Sequence, residues 1–361
     1  MIEQKRVINP PEQISLKHIL KLTDDTGIFQ DASGTQADKV FGYSLNDNAR
    51  ALLLCLWMSE KNKDPKIAML IKIYFGFVKM MALEDGSFMS YLPDDFSSDS
   101  DSSSDSYDED FEENEDAFGR TFWALAVLYL NGPGEVREES LSYLNESVKH
   151  ILRVKTPRGM ANILIGLTLL QLESVQIKDA GGMPLQLVQK IQSCFKQQSE
   201  ENINWFDPIV STENGIIPYS LLLANKILKS KHILVTIDQS VNYLESFCFA
   251  KKTINPLGSK AWYLKDGELT EFTQQAIEVF SLLLMYKELY RQKKNKSYLE
   301  KLNICFDWFL GENNLGIPLF DKETGGCWDG LEEESHSPNQ GAESLISFWL
   351  SHHIYFSNGT N

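Results

Sequence analysis

The connections between the predicted helices of this 361-residue chain alternate in length. Apolar residues recur with a 3.6-residue period in about twelve helix-length segments. Connections from an odd-numbered helix into an even-numbered one are mostly long, whereas those from even to odd are short. In a chain of antiparallel helical hairpins, all odd-to-even connections lie at one end of the molecule. The long connections therefore build one elaborate surface on a plain helical scaffold.

The periodicity gives the approximate bounds of the helices. They cover residues 16–23, 46–61, 65–83, 117–131, 139–153, 158–173, 184–199, 214–228, 233–249, 271–291, 296–310 and 340–357. The odd-to-even connections are residues 24–45, 84–116, 154–157, 200–213, 250–270 and 311–339, of which only the third is short. Alternating β-branched runs are short and isolated, so strands are expected to be nearly absent.

The even-numbered helices are the more apolar, and those at residues 46–61, 117–131 and 158–173 have little polar face. A helix that is apolar nearly all round is enclosed by other helices. We therefore predict an all-α (α/α)6 toroid of six hairpins, with the even helices as the inner ring and residues 1–361 as one domain. The long loops then meet at the N-terminal rim of the inner helices.

Composition argues against several classes of site and partner. No apolar run reaches the ~18 residues of a bilayer helix, and residues 1–13 lack the apolar stretch of a signal peptide, so we expect a cytoplasmic protein. The five cysteines are scattered without a C-x-x-C pair, which predicts free thiols rather than disulfides or zinc. No phosphate-binding or dinucleotide glycine motif has a convincing strand-to-helix setting, so no cofactor is expected.

The formal net charge of −16 is concentrated in one segment. Residues 94–116 hold twelve Asp or Glu and no Lys or Arg, so the remainder carries only about −4. This leaves no basic footprint for nucleic acid or a membrane surface. Residues 94–114 are acidic and serine-rich, which predicts a flexible insertion. They lack the glycine and terminal glutamate of a calcium-binding EF-hand, and phosphorylation of their serines stays open.

Polar and aromatic residues gather where five of the six odd-to-even loops meet their inner helices. The clusters lie at residues 46–50, 115–123, 205–214, 262–278 and 326–343. Each cluster taken singly is also explained by helix capping or by local Asp–Arg pairs. Five clusters on one rim favour a binding cleft instead. Carboxylates and amides bind sugar hydroxyls, and tryptophan stacks on the apolar face of a pyranose ring.

Glycoside hydrolysis requires two carboxyl groups on opposite sides of one bond. The candidates for the acid and base roles are Asp47, Asp116, Glu213 and Glu343. The candidates for holding hydroxyls are Asn48, Arg50, Arg120, Gln275 and Asn339, and those for stacking are Trp123, Trp205 and Trp328. The same clusters add Glu115, Asn214, Trp262, Glu278 and Asp329 as candidate substrate-binding residues.

The histidines lie outside these clusters, apart from His336. A sugar epimerase that moves protons with a histidine pair, or a lyase that pairs His with Tyr, requires imidazole at the rim. Both activities are therefore disfavoured.

In order along the chain, these motifs resemble a bacterial and archaeal all-α domain family related to the six-hairpin (α/α)6-barrel glycosidases, found alone or joined to a glycosyltransferase domain. The matching stretches are residues 22–30, 42–43, 47–52, 85–91, 115–116, 119–120, 123–125, 262–263, 274–275, 278, 308–311, 325–327, 329–331 and 339–344. The chain departs from the family pattern at residues 117–118, Ala-Phe in place of Ser-His, and at residues 212–219, where one Arg and one His are replaced. Together the two departures remove one Arg and two His.

The resemblance implies carbohydrate processing on an oligosaccharide, which makes a glycoside hydrolase the leading expectation. Inversion is favoured by analogy with related toroids. The first alternative is a non-catalytic sugar-binding module that works with a glycosyltransferase. A second alternative is a phosphorylase, in which Arg50 and Arg120 would bind phosphate.

Overall fold

A computed structural model of the chain describes residues 7–92, 114–249, 253–257, 262–263 and 272–357. Within these ranges it contains twelve α-helices. They are α1 (Lys17–Lys21), α2 (Leu45–Lys61), α3 (Pro65–Met81), α4 (Glu115–Asn131), α5 (Gly134–Ile151), α6 (Pro157–Leu172), α7 (Met183–Ser199), α8 (Ile216–Leu228), α9 (Lys231–Cys248), α10 (Ala276–Lys293), α11 (Lys296–Phe309) and α12 (Ala342–Phe356). Most predicted bounds agree within three residues; the largest errors are at the starts of α5 and α10. Residues 94–113 of the predicted acidic insertion lie outside the described residues.

The six even-numbered helices form a closed inner ring. In the ring α2 contacts α4, α4 contacts α6, α6 contacts α8, α8 contacts α10, α10 contacts α12, and α12 returns to α2. The odd-numbered helices pack outside: α3 on α2, α5 on α4, α7 on α6, α9 on α8, α11 on α10 and α1 on α12. The predicted all-α (α/α)6 toroid is therefore confirmed.

Burial distinguishes the two rings as the apolar patterns predict. Every residue of α10 from Ala276 to Leu289 is buried, because the inner helix has neighbours on all sides. The outer helix α9 buries one stripe that includes Ile233, Ile237, Val241 and Leu244. Residues at this spacing lie on one face of a helix, which is typical of a helix that covers a core on one side. No helix within the described residues combines the length and the apolarity needed to cross a membrane.

Short strands occur in the long loops, which the sequence did not reveal. The described residues contain ten strands: β1 (Asp31–Ser33), β2 (Gln36–Asp38), β3 (Tyr43–Ser44), β4 (Tyr91–Leu92), β5 (Ile209–Val210), β6 (Trp262–Tyr263), β7 (Gln274–Gln275), β8 (Phe320–Asp321), β9 (Gly326–Cys327) and β10 (Gly330–Leu331). They form five antiparallel pairs, β1–β2, β3–β4, β5–β6, β7–β10 and β8–β9. Pairs of two or three residues are too short to give an alternating pattern. Three of them join loops that are distant in sequence and so consolidate the rim.

Glycine lets α4 and α6 approach backbone to backbone near the rim. A Cβ atom added to Gly119 would lie 2.4 Å from the carbonyl oxygen of Gly159. Only a residue without a side chain fits at this contact. The close approach places the first turns of α4 and α6 side by side.

Candidate active site at the N-terminal rim

Charged side chains from distant parts of the chain meet at the rim around Arg50, in the first turns of α2. Its Nη1 donates to Asp47 Oδ1 at 3.1 Å and to Glu343 Oε2 at 2.9 Å. Its Nη2 donates to Glu213 Oε2 at 3.4 Å. Three of the four predicted acid and base candidates therefore share one guanidinium. Burial opposes a charged Arg50, but Glu213, Glu343 and Asp47 outweigh it and raise its pKa.

A second arginine extends this cluster along the ring. Arg120 of α4 pairs with Glu213 Oε2 and donates to the side chain of Asn46. Burial, with the neighbouring charge of Arg50, lowers the pKa of Arg120. Glu213 has a backbone φ of +52°, a left-handed conformation that is uncommon for residues other than glycine. Two buried arginines thus hold a carboxylate whose backbone is itself constrained.

Asp116, the fourth candidate, occupies a neighbouring position between α4 and α6. Its Oδ2 accepts from Arg158 Nε at 2.5 Å, and its Oδ1 accepts from the Thr156 hydroxyl at 2.9 Å. Arg158 also donates to Ser211 Oγ at 3.0 Å and to the carbonyl oxygen of Thr212. Burial of Asp116 opposes its ionisation, but Arg158 outweighs burial and the pKa of Asp116 is lowered.

Arg158 was not among the residues predicted from the sequence, because it follows the one short odd-to-even connection. A signal was nevertheless present. Thr156 is the N-cap of α6 and accepts from Gly159 N, so Arg158 lies in the first turn of a helix. A cation there is disfavoured by the positive end of the helix dipole. An arginine in this position indicates a carboxylate partner nearby.

The four carboxylates differ in how far they open to solvent. The side chains of Glu343 and Asp116 are 43% and 26% exposed, whereas those of Asp47 and Glu213 are 6% and 3% exposed. The partial desolvation of Glu343 and the nearby carboxylates of Asp47 and Glu213 raise its pKa, with Arg50 opposing. Burial also raises the pKa of Asp47. The two accessible carboxyl groups are therefore shifted in opposite directions.

Several predicted substrate-binding residues instead bond within the chain. Asn48 accepts from Ile28 N at 2.9 Å and donates to the carbonyl oxygens of Ile28 and Ser44. Glu115 accepts from the backbone N–H groups of Lys155 and Thr156 at 2.7 and 2.6 Å. Both are buried, so they organise the loops around the site rather than face a ligand.

On the other side of the rim, further predicted binding residues also have partners within the chain. Asn214 and Glu278 are buried and bond to each other. Asp329 is half-buried and accepts from Gly341 N and Ser344 Oγ, both at 2.7 Å, at the start of α12. Gln275 lies in β7, and the Oδ1 atom of Asn339 accepts from Gly34 N at 2.9 Å. Gln275 and Asn339 are half-buried.

The predicted stacking residues also differ in how deeply they are buried. Trp205 and Trp123 are 1% and 2% exposed, so neither offers a ring face to a sugar in this structure. Trp328 is half-buried and stacks on His336, with ring centroids 4.3 Å apart and planes 12° apart. The side chain of Trp262 lies outside the described residues. Of the predicted stacking residues with a described side chain, Trp328 is thus the one that is partly accessible.

Solved structures with the same arrangement of helices include several sugar-acting enzymes. A sugar epimerase from a ruminal bacterium matches with a TM-score of 0.67 and 11% identity, over 95% of this chain and 96% of that one. Cellobiose 2-epimerase from Bacillus thermoamylovorans matches with a TM-score of 0.68 and 11% identity, over 94% and 95%. The chain shares their fold.

A family 76 glycoside hydrolase from a bovine Bacteroides thetaiotaomicron strain matches with a TM-score of 0.59 and 12% identity, over 94% of this chain and 76% of that one. No family model and no curated protein matches the sequence. These similarities establish the six-hairpin toroid that hydrolases and epimerases have in common. The glycosyltransferase partner and the cytoplasmic location remain predictions.

Proposed function

We propose that the protein is a carbohydrate-active enzyme, a glycoside hydrolase in which Glu343 is the general acid and Asp116 the general base. The observation that carries this proposal is the pair of accessible carboxyl groups with opposite pKa shifts. Environments that separate two carboxyl pKa values in this way are how one site holds a protonated acid beside an ionised base.

In the proposed reaction, protonated Glu343 donates its proton to the glycosidic oxygen as the bond from that oxygen to the anomeric carbon breaks. Asp116 takes a proton from the water whose oxygen attacks the anomeric carbon. The donated proton leaves with the alcohol product, and the water oxygen becomes the new anomeric hydroxyl. Arg50, bonded to Glu343, stabilises the carboxylate that remains.

The order of the inner helices supports inversion of the anomeric centre over retention. Asp116 lies on α4 and Glu343 on α12, and α2 contacts both and separates them in the ring. An inverting enzyme requires roughly 6.5–9.5 Å between its carboxyl groups, to admit a water molecule. An intervening helix favours such a gap over the shorter spacing of a retaining pair.

Two other activities fit the arrangement less well. Arg50 and Arg120, the expected phosphate ligands of a phosphorylase, are both paired with carboxylates. His336 is stacked on Trp328. His18, whose Nε2 lies 3.1 Å from the carbonyl oxygen of Gln340, is fully buried, so the histidine pair of an epimerase would lack a second accessible imidazole among these rim residues.

The direct test is release of reducing sugar from manno-, gluco- and galacto-oligosaccharides. We expect Glu343→Gln and Asp116→Asn each to lower kcat about 10²- to 10⁴-fold, the range for removal of a general acid or base. Glu334→Gln, an exposed carboxylate in the same rim loop, is the matched control and should leave kcat unchanged. NMR of the fresh product should show the inverted anomer.

Sugar binding without turnover, unchanged in both variants, would refute the hydrolase and favour the sugar-binding module. Turnover that depends on added phosphate would favour the phosphorylase.

A further inference from the structure

The turn that carries Glu213 is fixed to α10 by a buried carboxylate. Glu278 Oε2 accepts from Asn214 N at 3.0 Å, and Glu278 Oε1 accepts from Asn214 Nδ2, also at 3.0 Å. Glu278 is 0% exposed and Asn214 is 3% exposed. A carboxylate so deeply buried cannot contact a sugar, so its two hydrogen bonds act on the turn.

The next residue along is held by the same helix. Gly215 N donates to Ser281 Oγ at 3.0 Å, and a Cβ atom on Gly215 would meet the carbonyl oxygen of Ser281 at 2.3 Å. The backbone of residues 213–215 therefore lies directly on α10. Because Glu213 adopts a left-handed conformation at one end of this turn, contacts that fix the turn also select that conformation.

We infer that Glu278 is a positioning residue whose ionised carboxylate, through Asn214, holds Glu213 against Arg50 and Arg120. This inference rests on the proposed function, because Glu213 influences catalysis there through the arginine that contacts Glu343. Glu278 itself touches no reacting group.

Protonation of Glu278 is expected to weaken this contact. Both of its carboxyl oxygens accept from N–H donors of Asn214, so an added proton removes the negative charge and makes one oxygen a poorer acceptor. Burial raises the pKa of Glu278 to about 7, with Asn214 and Arg158 opposing and Glu213 adding to the rise. Cys248 and Cys305, on the outer helices α9 and α11, are the other titratable groups that interact with it. The turn is therefore held above neutral pH and released below it.

Glu278→Gln and Ser281→Ala form a matched pair of variants. Ser281→Ala removes the acceptor of Gly215 N, and Glu278→Gln removes the charge and replaces one of the two oxygens that accept from Asn214 with an amide nitrogen. Of the two native side chains, only Glu278 titrates. We expect Glu278→Gln to lower kcat about tenfold or more, the effect of losing a charge-assisted hydrogen bond, with KM little changed. The native enzyme should lose kcat as pH falls through 7, and the Glu278→Gln variant should not show this pH dependence. Ser281→Ala should lower kcat at every pH but keep the fall in kcat below pH 7. Glu278→Asp, which retains the charge, should restore part of the kcat that Glu278→Gln loses.

A substrate-free measurement separates this inference from the proposed function. In protein labelled with ¹⁵N-asparagine and ¹⁵N-glycine, the amides of Asn214 and Gly215 should shift with a common midpoint near pH 7, and the Glu278→Gln variant should show neither shift. Gly215 does not bond to Glu278, so its shift reports movement of the turn. Two unchanged amides between pH 5.5 and 8.5, or an unaltered pH profile of kcat in Glu278→Gln, would overturn the inference. Titrating amides in a protein that hydrolyses no sugar would count against the proposed function alone.

Discussion

Arg50 Nη1 and Glu343 Oε2 are joined by a hydrogen bond of 2.9 Å, although 293 residues separate the two positions. The contact links α2, the first helix of the inner ring, to α12, the last. Ring closure and assembly of the candidate site are thus the same event. A carboxylate near the end of the chain acquires its environment only when the toroid is complete.

Removal of Arg50 should therefore affect stability as well as activity. Arg50→Met leaves Asp47 and Glu213 buried with less compensating charge, and breaking a buried ion pair costs about 3–5 kcal/mol. The native pKa of Asp47, already raised by burial, then rises further above its unfolded value, so the loss of stability should grow as pH rises from 5 to 7.5. Urea unfolding at both pH values measures this.

The control is Arg137→Met on the outer helix α5, where the guanidinium lies 5.1 Å from the ring of Tyr129. We expect a loss of about 1 kcal/mol or less, the size of an exposed cation–π contact, and no change with pH. Equal losses at pH 5 and 7.5 in Arg50→Met would contradict the account of its charge.

The close approach of α4 and α6 makes a second prediction. Gly119→Ala places a methyl group 2.4 Å from the Gly159 carbonyl oxygen, so the helices must separate, at a cost of roughly 1–3 kcal/mol for overpacking. Separation also weakens the Asp116–Arg158 pair, so kcat should fall with stability. Gly134→Ala, where a Cβ meets nothing within 4 Å, should leave both unchanged. Thermal unfolding and oligosaccharide hydrolysis of the two variants provide the test.

The fold was predictable because it depends on patterns that span whole segments. Apolar periodicity located the helices, and the near absence of a polar face in α2, α4 and α6 assigned them to the inner ring. The parity of loop lengths then placed all the long loops at one rim. Chain order and burial determine these features, and neither requires knowledge of side-chain direction.

The site was less predictable for the same reason. On a helix buried on all sides, the apolar pattern does not indicate which residues face the cleft and which face a neighbouring helix. Trp123 therefore resembled a stacking residue but packs edge-on against Trp57. Glu278 likewise resembled a substrate-binding residue because it lies in the first turn of α10, but the turn at residues 213–215 covers it. Sequence located the rim, but the rotation of each inner helix decides which side chains line it.

Trp328 provides a test of the cleft's position. If a sugar ring stacks on it, Trp328→Ala should raise KM by about 10-fold or more, the effect of losing one to a few kcal/mol of stacking and apolar contact, with a smaller change in kcat. Trp205→Phe is the control for a fully buried tryptophan and should lower stability without raising KM. Steady-state kinetics on the best oligosaccharide distinguish the two. An unchanged KM in Trp328→Ala would move the sugar subsite away from this loop.

His353, at the opposite end of the ring, links the pH dependence of stability to one stacked pair. Its ring stacks on Trp57 at 5.5 Å, and burial, with Lys61 and Lys287, lowers its pKa to about 4. The unfolded chain takes up this proton near pH 6.5, and the native state only near pH 4. The native state therefore loses stability as pH falls from 6.5 to 4.

His353→Phe keeps an aromatic ring against Trp57 but removes the titration of this side chain, so the unfolding free energy of the variant should fall less than that of the native protein over this range. Urea unfolding at pH 7 and pH 4.5 measures the difference. The exposed His232, replaced by Gln, is the control, and a His353→Phe variant with the native pH dependence would show that other groups govern acid unfolding.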